Sequence, residues 1–402
     1  MEKGIVKVSV ISLVVILFAI PAFSQTQRQP EPIKIGGSLA LTGVFAESAK
    51  WVKAGYEFWA EDVNKRGGLL GRPVRLTIYD DEGVPEKAVT YYERAITVDK
   101  VDLVFGGYPG PNVAVLMPLM EKYGKVFVSQ GAQFASFEQG YTYSFASPGL
   151  NTRPTGKSFE GAINDLIVRE ERPKSMAIFT MNNVSGRDGR AGIIAAAERC
   201  GIKVAVDEFY NLPLTDAKPL ALKAKATGAE LVCKMSFFDD DVMITREIKA
   251  MNYNPKMIWS LLAPTLPAWM KEFGPDGKNV ICTMVWHPRL PFPGNEIINE
   301  AAKTKFKLSV APAYFGLGYC WMKTLELSVQ GAGTLDHKRI RDYLRSHKFD
   351  LPYGKGITFD QKGLNHPDTH YVLQTAEGGL EILWPKEIAT GKIVYPKPKW
   401  SK

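Results

Sequence analysis

The chain of 402 residues is longer than one ordinary domain and a comfortable length for two. Hydrophobic residues at 45% and charged residues at 23% give the balance of a folded globular protein, which argues against disorder, collagen-like structure and a polytopic membrane protein. Lys and Arg total 50 against 42 Asp and Glu, for a net charge of +8, but the basic residues are scattered, so no nucleic-acid partner is expected.

The first segment sets the expected compartment. Lys3 and Lys7 precede an apolar run from Val8 to Ile20, and small residues follow at Ala22 and Ser24. This pattern predicts a secretory signal peptide over 1–24, cut before Gln25, and a flexible lead-in over 25–32. The competing reading is an uncleaved anchor, but the run falls short of the roughly 20 residues that span a bilayer. No cysteine follows the run, so a lipoprotein anchor is not expected either. The mature protein should be a soluble periplasmic protein.

Past the lead-in, apolar strands alternate with amphipathic helices. A strand over Ile33–Leu39 precedes a helix over 45–64, in which Val52, Tyr56, Trp59 and Val63 share one face. Gly67 and Gly68 stop it. Strands at 74–79, 103–105 and 126–129 alternate with helices around 88–98 and 112–123. Pro148, Gly149 and Pro154 interrupt the rhythm, which then restarts. Strands at 176–180, 204–207, 231–234 and 257–261 alternate with helices at 189–199, 217–227 and 242–251. Two more helices, 296–305 and 313–329, precede short strands that include 357–359 and 370–374. Two such blocks predict an α/β protein of two lobes, each with a parallel sheet covered on both faces.

Several segments carry a family resemblance. Gly37–Gly43 (GSLALTG), Gly55-Tyr56, the helix stop from Asp62 to Gly68 (DVNKRGG), Gly71 and Tyr79-Asp80-Asp81 resemble the branched-chain amino acid binding proteins of bacterial ABC importers. Phe105-Gly106-Gly107, Gly149-Leu150-Asn151 and Phe359–Gly363 sit where that family has comparable segments. The resemblance implies a type I periplasmic binding protein fold, two Rossmann-like lobes joined by three hinge crossovers. It places lobe 1 at 33–149 plus 283–353 and lobe 2 at 150–282 plus 354–402. It also implies a small-molecule ligand, an amino acid or an aliphatic or aromatic carboxylate, delivered by a monomer to an inner-membrane ABC permease.

Ligand crevices of open parallel sheets lie at the carboxyl ends of the strands. The resemblance puts the ligand carboxylate on the loop after the third strand. Here that loop holds Tyr108 and Asn112, lacks the family's serines, and still leads into a helix N-terminus that favours an anion. Gly131, Ala132, Gln133 and Phe134 correspond to the segment that receives the ligand amine. Phe238 and Asp240 lie in the loop where the family supplies a carboxylate; the acidic run could equally cap a helix. Phe45 and Ser48, Asn183 and Ser185, and Trp286 near a crossover complete the expected contacts; Asn112, Asn183 and Ser185 could instead serve as turn or cap residues.

Enzyme signatures are missing. The sequence has no G-x-S-x-G elbow, Walker loop or HExxH helix, and no cofactor is expected. Gly186, Gly189 and Gly192 follow a strand but lack dinucleotide spacing, and Pro367 between His366 and His370 removes the helical face a metal pair would need. Cys200, Cys233, Cys282 and Cys320 form no CxxC. A sensory receptor of the same fold, or an exported α/β hydrolase, are the alternatives to transport.

Overall fold

The computed structural model describes Met1, Glu2, Gly4 and residues 30–132, 134–148, 155–367 and 370–401. Apart from Met1, Glu2 and Gly4, the expected signal peptide lies outside the described residues. No helix among the described residues is long and apolar enough to cross a membrane.

The first half runs β1 (Ile33–Leu39), α1 (Ala46–Lys65), β2 (Val74–Asp80), α2 (Pro85–Thr97), β3 (Leu103–Val104), α3 (Gly110–Tyr123), β4 (Phe127–Ser129), α4 (Phe134–Phe137) and β5 (Ser144–Ala146). The next block runs α5 (Thr155–Leu166), β6 (Ser175–Met181), α6 (Val184–Arg199), β7 (Lys203–Tyr210), α7 (Lys218–Thr227), β8 (Leu231–Met235), α8 (Phe238–Ala250), β9 (Met257–Ser260), α9 (Pro267–Phe273) and β10 (Ile281–Met284). The chain ends with α10 (Asn295–Phe306), α11 (Ala313–Ala332), α12 (His337–Ser346), β11 (Phe349–Leu351), β12 (Gly354–Phe359), β13 (Asn365–His366), β14 (Tyr371–Ala376) and β15 (Gly379–Trp384).

In the first lobe β1 lies between β2 and β3, parallel to both, and β4 pairs in parallel with β5. The second lobe holds a seven-stranded sheet in the order β15-β14-β10-β9-β8-β6-β7. It is parallel from β7 to β10, and the C-terminal hairpin β14–β15 adds two antiparallel strands at one edge.

The motifs at the start of the chain tie turns to strand ends. Asn64, at the end of α1, accepts from the amide of Val74 (2.7 Å) and donates to its carbonyl (3.0 Å), which fixes where β2 begins. Asp80 accepts from the Leu41 amide (2.9 Å) and the Thr42 hydroxyl (2.8 Å), while Asp81 accepts from the Ser38 hydroxyl (2.6 Å). Helix α11 crosses α1 so closely that a Cβ on Gly55 would stand 2.4 Å from the Phe315 carbonyl oxygen. Buried Glu326 of α11 binds the Trp59 indole (2.8 Å) and pairs with Arg66 and Lys323 at the same seam.

The structure moves two expected lobe boundaries. Strand β10 belongs to the second sheet through Met284, so the return to lobe 1 follows it. Strand β12 remains with lobe 1 because a tight hairpin joins it to β11, leaving no length for a crossing. The Phe359 ring packs on Phe145 at 5.5 Å, and the Ala146 amide donates to the Gly363 carbonyl (2.9 Å). Lobe 1 therefore extends at least to His366, and β14 already belongs to the second sheet.

Helices α4, α5, α9 and α12 are absent from the sequence reading, and α6 starts at Val184 rather than 189. Asn183 explains the earlier start, since its side chain accepts from the Gly186 amide (2.8 Å) and caps the helix. The glycines of this segment serve packing: a Cβ on Gly156 of α5 would lie 2.4 Å from the carbonyl oxygen of Gly192 on α6. Gly156→Ala should thus cost about 1–3 kcal/mol by forcing the helices apart. Gly378→Ala, where nothing lies within 4 Å of the new methyl, should change stability by no more than about 0.5 kcal/mol. Urea denaturation of the two variants checks both values.

Candidate functional site

The two lobes face each other with strand ends directed inward. The loops after β3, β4, β6, β8 and β9 and the end of β10 meet there and line a small cleft of about 70 Å³, partly open to solvent. Tyr314 of α11, Thr155 of α5 and His370 before β14 complete its wall. The remaining surface is mainly apolar, from Met181, Phe237, Leu261, Leu262 and Met284.

Two helix N-termini enter this space from opposite lobes. Helix α3 begins at Gly110 in lobe 1, and α6 begins at Val184 in lobe 2. They come so near that a Cβ on Gly110 would stand 3.4 Å from the Ser185 hydroxyl oxygen. Both present the positive ends of their dipoles, although Asn183 already accepts from the Gly186 amide at the start of α6. Among the described lining residues there is no Asp, Glu, Lys or Arg. The cleft is therefore formally neutral at its wall, yet biased towards an anion.

A run of aromatic rings bridges the lobes beside it. Phe237 of lobe 2 meets Phe45 of lobe 1 edge to face at 4.8 Å, Phe45 meets Tyr108 at 6.4 Å, and Tyr108 meets Tyr314 at 5.3 Å. Tyr108 is only 2% exposed, and burial raises its phenol above the usual range, so the hydroxyl stays protonated. That hydroxyl lies beside Ser48 and Tyr314 but meets neither at hydrogen-bonding geometry.

Of the residues expected from sequence, Tyr108, Gly131, Ala132 and Ser185 line the cleft. Phe45 and Ser48 stand behind Tyr108 rather than in the wall. Asn112 is fully buried; its amide donates to Asp81 (3.0 Å), and its carbonyl oxygen has no partner. Asn183 is occupied as the cap of α6. Phe238 opens α8, and its neighbour Phe237 supplies the wall instead. Trp286 donates to Asn295 (2.8 Å) and packs on the backbone of α11 at Gly316, away from this cleft. Gln133 lies outside the described residues, as does the side chain of Phe134.

Asp240 departs most from expectation. Its carboxylate accepts from the Leu214 amide (3.0 Å) within lobe 2, and the residue is absent from the wall. Its neighbour Asp241 is buried with Lys234 in an ion pair that is 0% exposed on both sides. Asp240 and Asp241 are thus engaged within the lobe that carries them. His366 pairs with Asp360 (3.1 Å) in lobe 1 while His370 lines the cleft, so these histidines do not share a site. No group of three or more metal-ligating side chains occurs among the described residues.

Leu261 ends a strand recognised from sequence, so its place in the wall follows from the strand-end rule. Tyr314 and His370 had no comparable signal, because each comes from an element far along the chain that only the crossovers bring back.

Two lobes of this kind, wound separately, joined by three crossovers and facing a common cleft, define the type I periplasmic binding fold. The profile of the family described as "Periplasmic binding protein" matches residues 32–379, and the chain belongs to that family. A leucine-, isoleucine-, valine-, threonine- and alanine-binding protein of Pseudomonas aeruginosa is 23% identical over 367 residues, covering 86% of this chain and 90% of its own. Among solved structures, a leucine-binding protein of Thermotoga maritima superposes with a TM-score of 0.76 at 18% identity, over 87% of this chain and 97% of its own. A solute-binding protein of an ABC transporter from R. palustris, solved with benzoate, gives 0.78 at 15% identity, over 92% of this chain and 99% of its own.

Two variants test these assignments. Burial pushes Asp240 up to about 6, Asp239 and Asp241 add to the rise, and the Leu214 amide opposes it. The folded protein holds this proton more tightly than the unfolded chain, so stability from this group is largest below 3.8 and falls as pH rises through about 6. Asp240→Asn should raise stability at pH 8, leave it nearly unchanged at pH 3.5 and leave ligand affinity intact. Urea melts and calorimetric titration measure these effects, and a large loss of affinity would return Asp240 to the ligand. Phe45→Ala removes an interlobe ring contact worth about 0.5–1.5 kcal/mol, so ligand affinity should drop by about 2- to 10-fold, chiefly through faster release in stopped-flow.

Proposed function

We propose that this protein is the solute receptor of an ABC importer. Its N-terminal segment exports it to the periplasm, where it captures a small carboxylate-bearing solute between the lobes and presents the closed form to an inner-membrane permease. The observation that carries this reading is the meeting of α3 and α6, from different lobes, at one neutral cleft. An anion placed there draws on both lobes at once, so it favours closure by its differential affinity for the closed form. The likeness to the R. palustris solute-binding protein of an ABC transporter supports transport, and the P. aeruginosa relative supports solute binding. Binding, rather than catalysis, suits a wall of rings, apolar side chains and hydroxyls.

A thermal-shift screen of amino acids, aliphatic acids and aromatic acids tests the reading. A ligand at 100 times its Kd should add about 2.7 kcal/mol to stability. Gly110→Trp wedges a ring between the two helix ends and should abolish that shift while the free protein stays folded. A panel in which nothing raises the melting temperature, or a shift that survives in Gly110→Trp, counts against capture in this cleft.

A further inference from the structure

A zwitterionic amino acid makes two opposite electrostatic demands. Its carboxylate needs donors, and its ammonium needs acceptors, with a counter-charge once water is excluded. The cleft meets the first demand twice over, at the N-termini of α3 and α6. Those same helix ends repel a cation.

The buried carboxylates nearest the cleft are already engaged. Asp240 holds the Leu214 amide, Asp241 holds Lys234, and Asp81 holds Ser38, Gly83 and Asn112. None of them lines the cleft. The described wall offers an ammonium only uncharged acceptors, such as the Gln130 amide and the hydroxyls of Ser185 and Thr283. Tyr108, in contrast, brings a protonated, buried hydroxyl without a hydrogen-bond partner, a donor suited to a carboxylate oxygen. The rings of Phe237, Tyr108 and Tyr314 and the side chains of Leu261 and Met284 provide a surface for an apolar body.

We infer that this cleft selects a small monocarboxylate with an aliphatic or aromatic body and no α-ammonium group. The carboxylate sits between the first turns of α3 and α6 and takes a hydrogen bond from Tyr108. This inference rests on the solute-receptor reading and narrows its ligand class.

Calorimetric titration of the mature protein with matched pairs tests it: 4-methylpentanoate against leucine, and 3-phenylpropanoate against phenylalanine, with benzoate as a further acid and 3-methylbutan-1-amine as an amine control. In at least one pair, the acid should bind about tenfold or more tightly than its amino acid, since the unpaired ammonium must give up its hydration; the amine should not bind. Tyr108→Phe keeps the ring contacts and should weaken the acid several-fold. Thr283→Asp places a carboxylate in the wall and should erase or reverse the preference for the acid. Amino acids that bind as tightly as their des-amino partners overturn the inference and leave the receptor reading intact. Silence from every acid and every amino acid overturns both. An undiminished affinity in Tyr108→Phe removes that hydroxyl from the grip and overturns the assignment of its role.

Discussion

Two helix N-termini facing each other across a gap are two like partial charges held at short range. Each lobe, wound on its own parallel sheet, places a helix start at the carboxyl end of a strand, and the crossovers bring α3 and α6 into opposition. Much of the surrounding architecture makes this unfavourable meeting tolerable. The Phe237–Phe45–Tyr108–Tyr314 run supplies apolar contact between the lobes beside it. The close packing of α1 against α11 keeps lobe 1 rigid beneath those rings. On the proposed reading, an anion relieves the opposition and so favours the closed arrangement.

The buried Lys234–Asp241 pair shows how local chemistry can disguise a site. Three consecutive aspartates at a helix start read in sequence as a counter-ion for an amine or as caps. In the fold, burial lowers Lys234 and raises Asp241, and their attraction opposes both shifts. Thr245 and Ser260 also bind Asp241, so its charge is spent within the layer between sheet and helix. Asp240 turns to the Leu214 amide on the same lobe. Asp240 and Asp241 are thus turned into lobe 2 rather than towards the cleft, and their sequence position next to it is misleading.

The fold was legible where one element's pattern sufficed. Helix α1 was readable from its own apolar stripe, and its DVNKRGG stop from a partner close in sequence; Asn64 and Val74 are ten residues apart. Helix α12 escaped because only Ile340 and Leu344 of its ten residues are buried, too sparse a stripe to mark a helix. The site divides in the same way. Tyr108 and Ser185 follow strands directly and could be placed in the cleft, whereas Trp286 and Asn112 are diverted by distant or buried partners, Asn295 and Asp81. Tyr314 and His370 reach the wall only through crossovers, which no local pattern encodes.

The late position of the third crossover has a mechanical consequence. The chain leaves lobe 1 after His366, and His370, a few residues on, already lines the cleft. A point next to a pivot moves little when the bodies on either side swing. Ser185 lies in the first turn of α6, on the lobe opposite Gly110, and a Cβ on Gly110 would stand 3.4 Å from its hydroxyl oxygen. Any swing of one lobe on the other changes that separation directly, so this pair is the sensitive gauge of how the lobes are arranged, while His370 beside the linking segment is not.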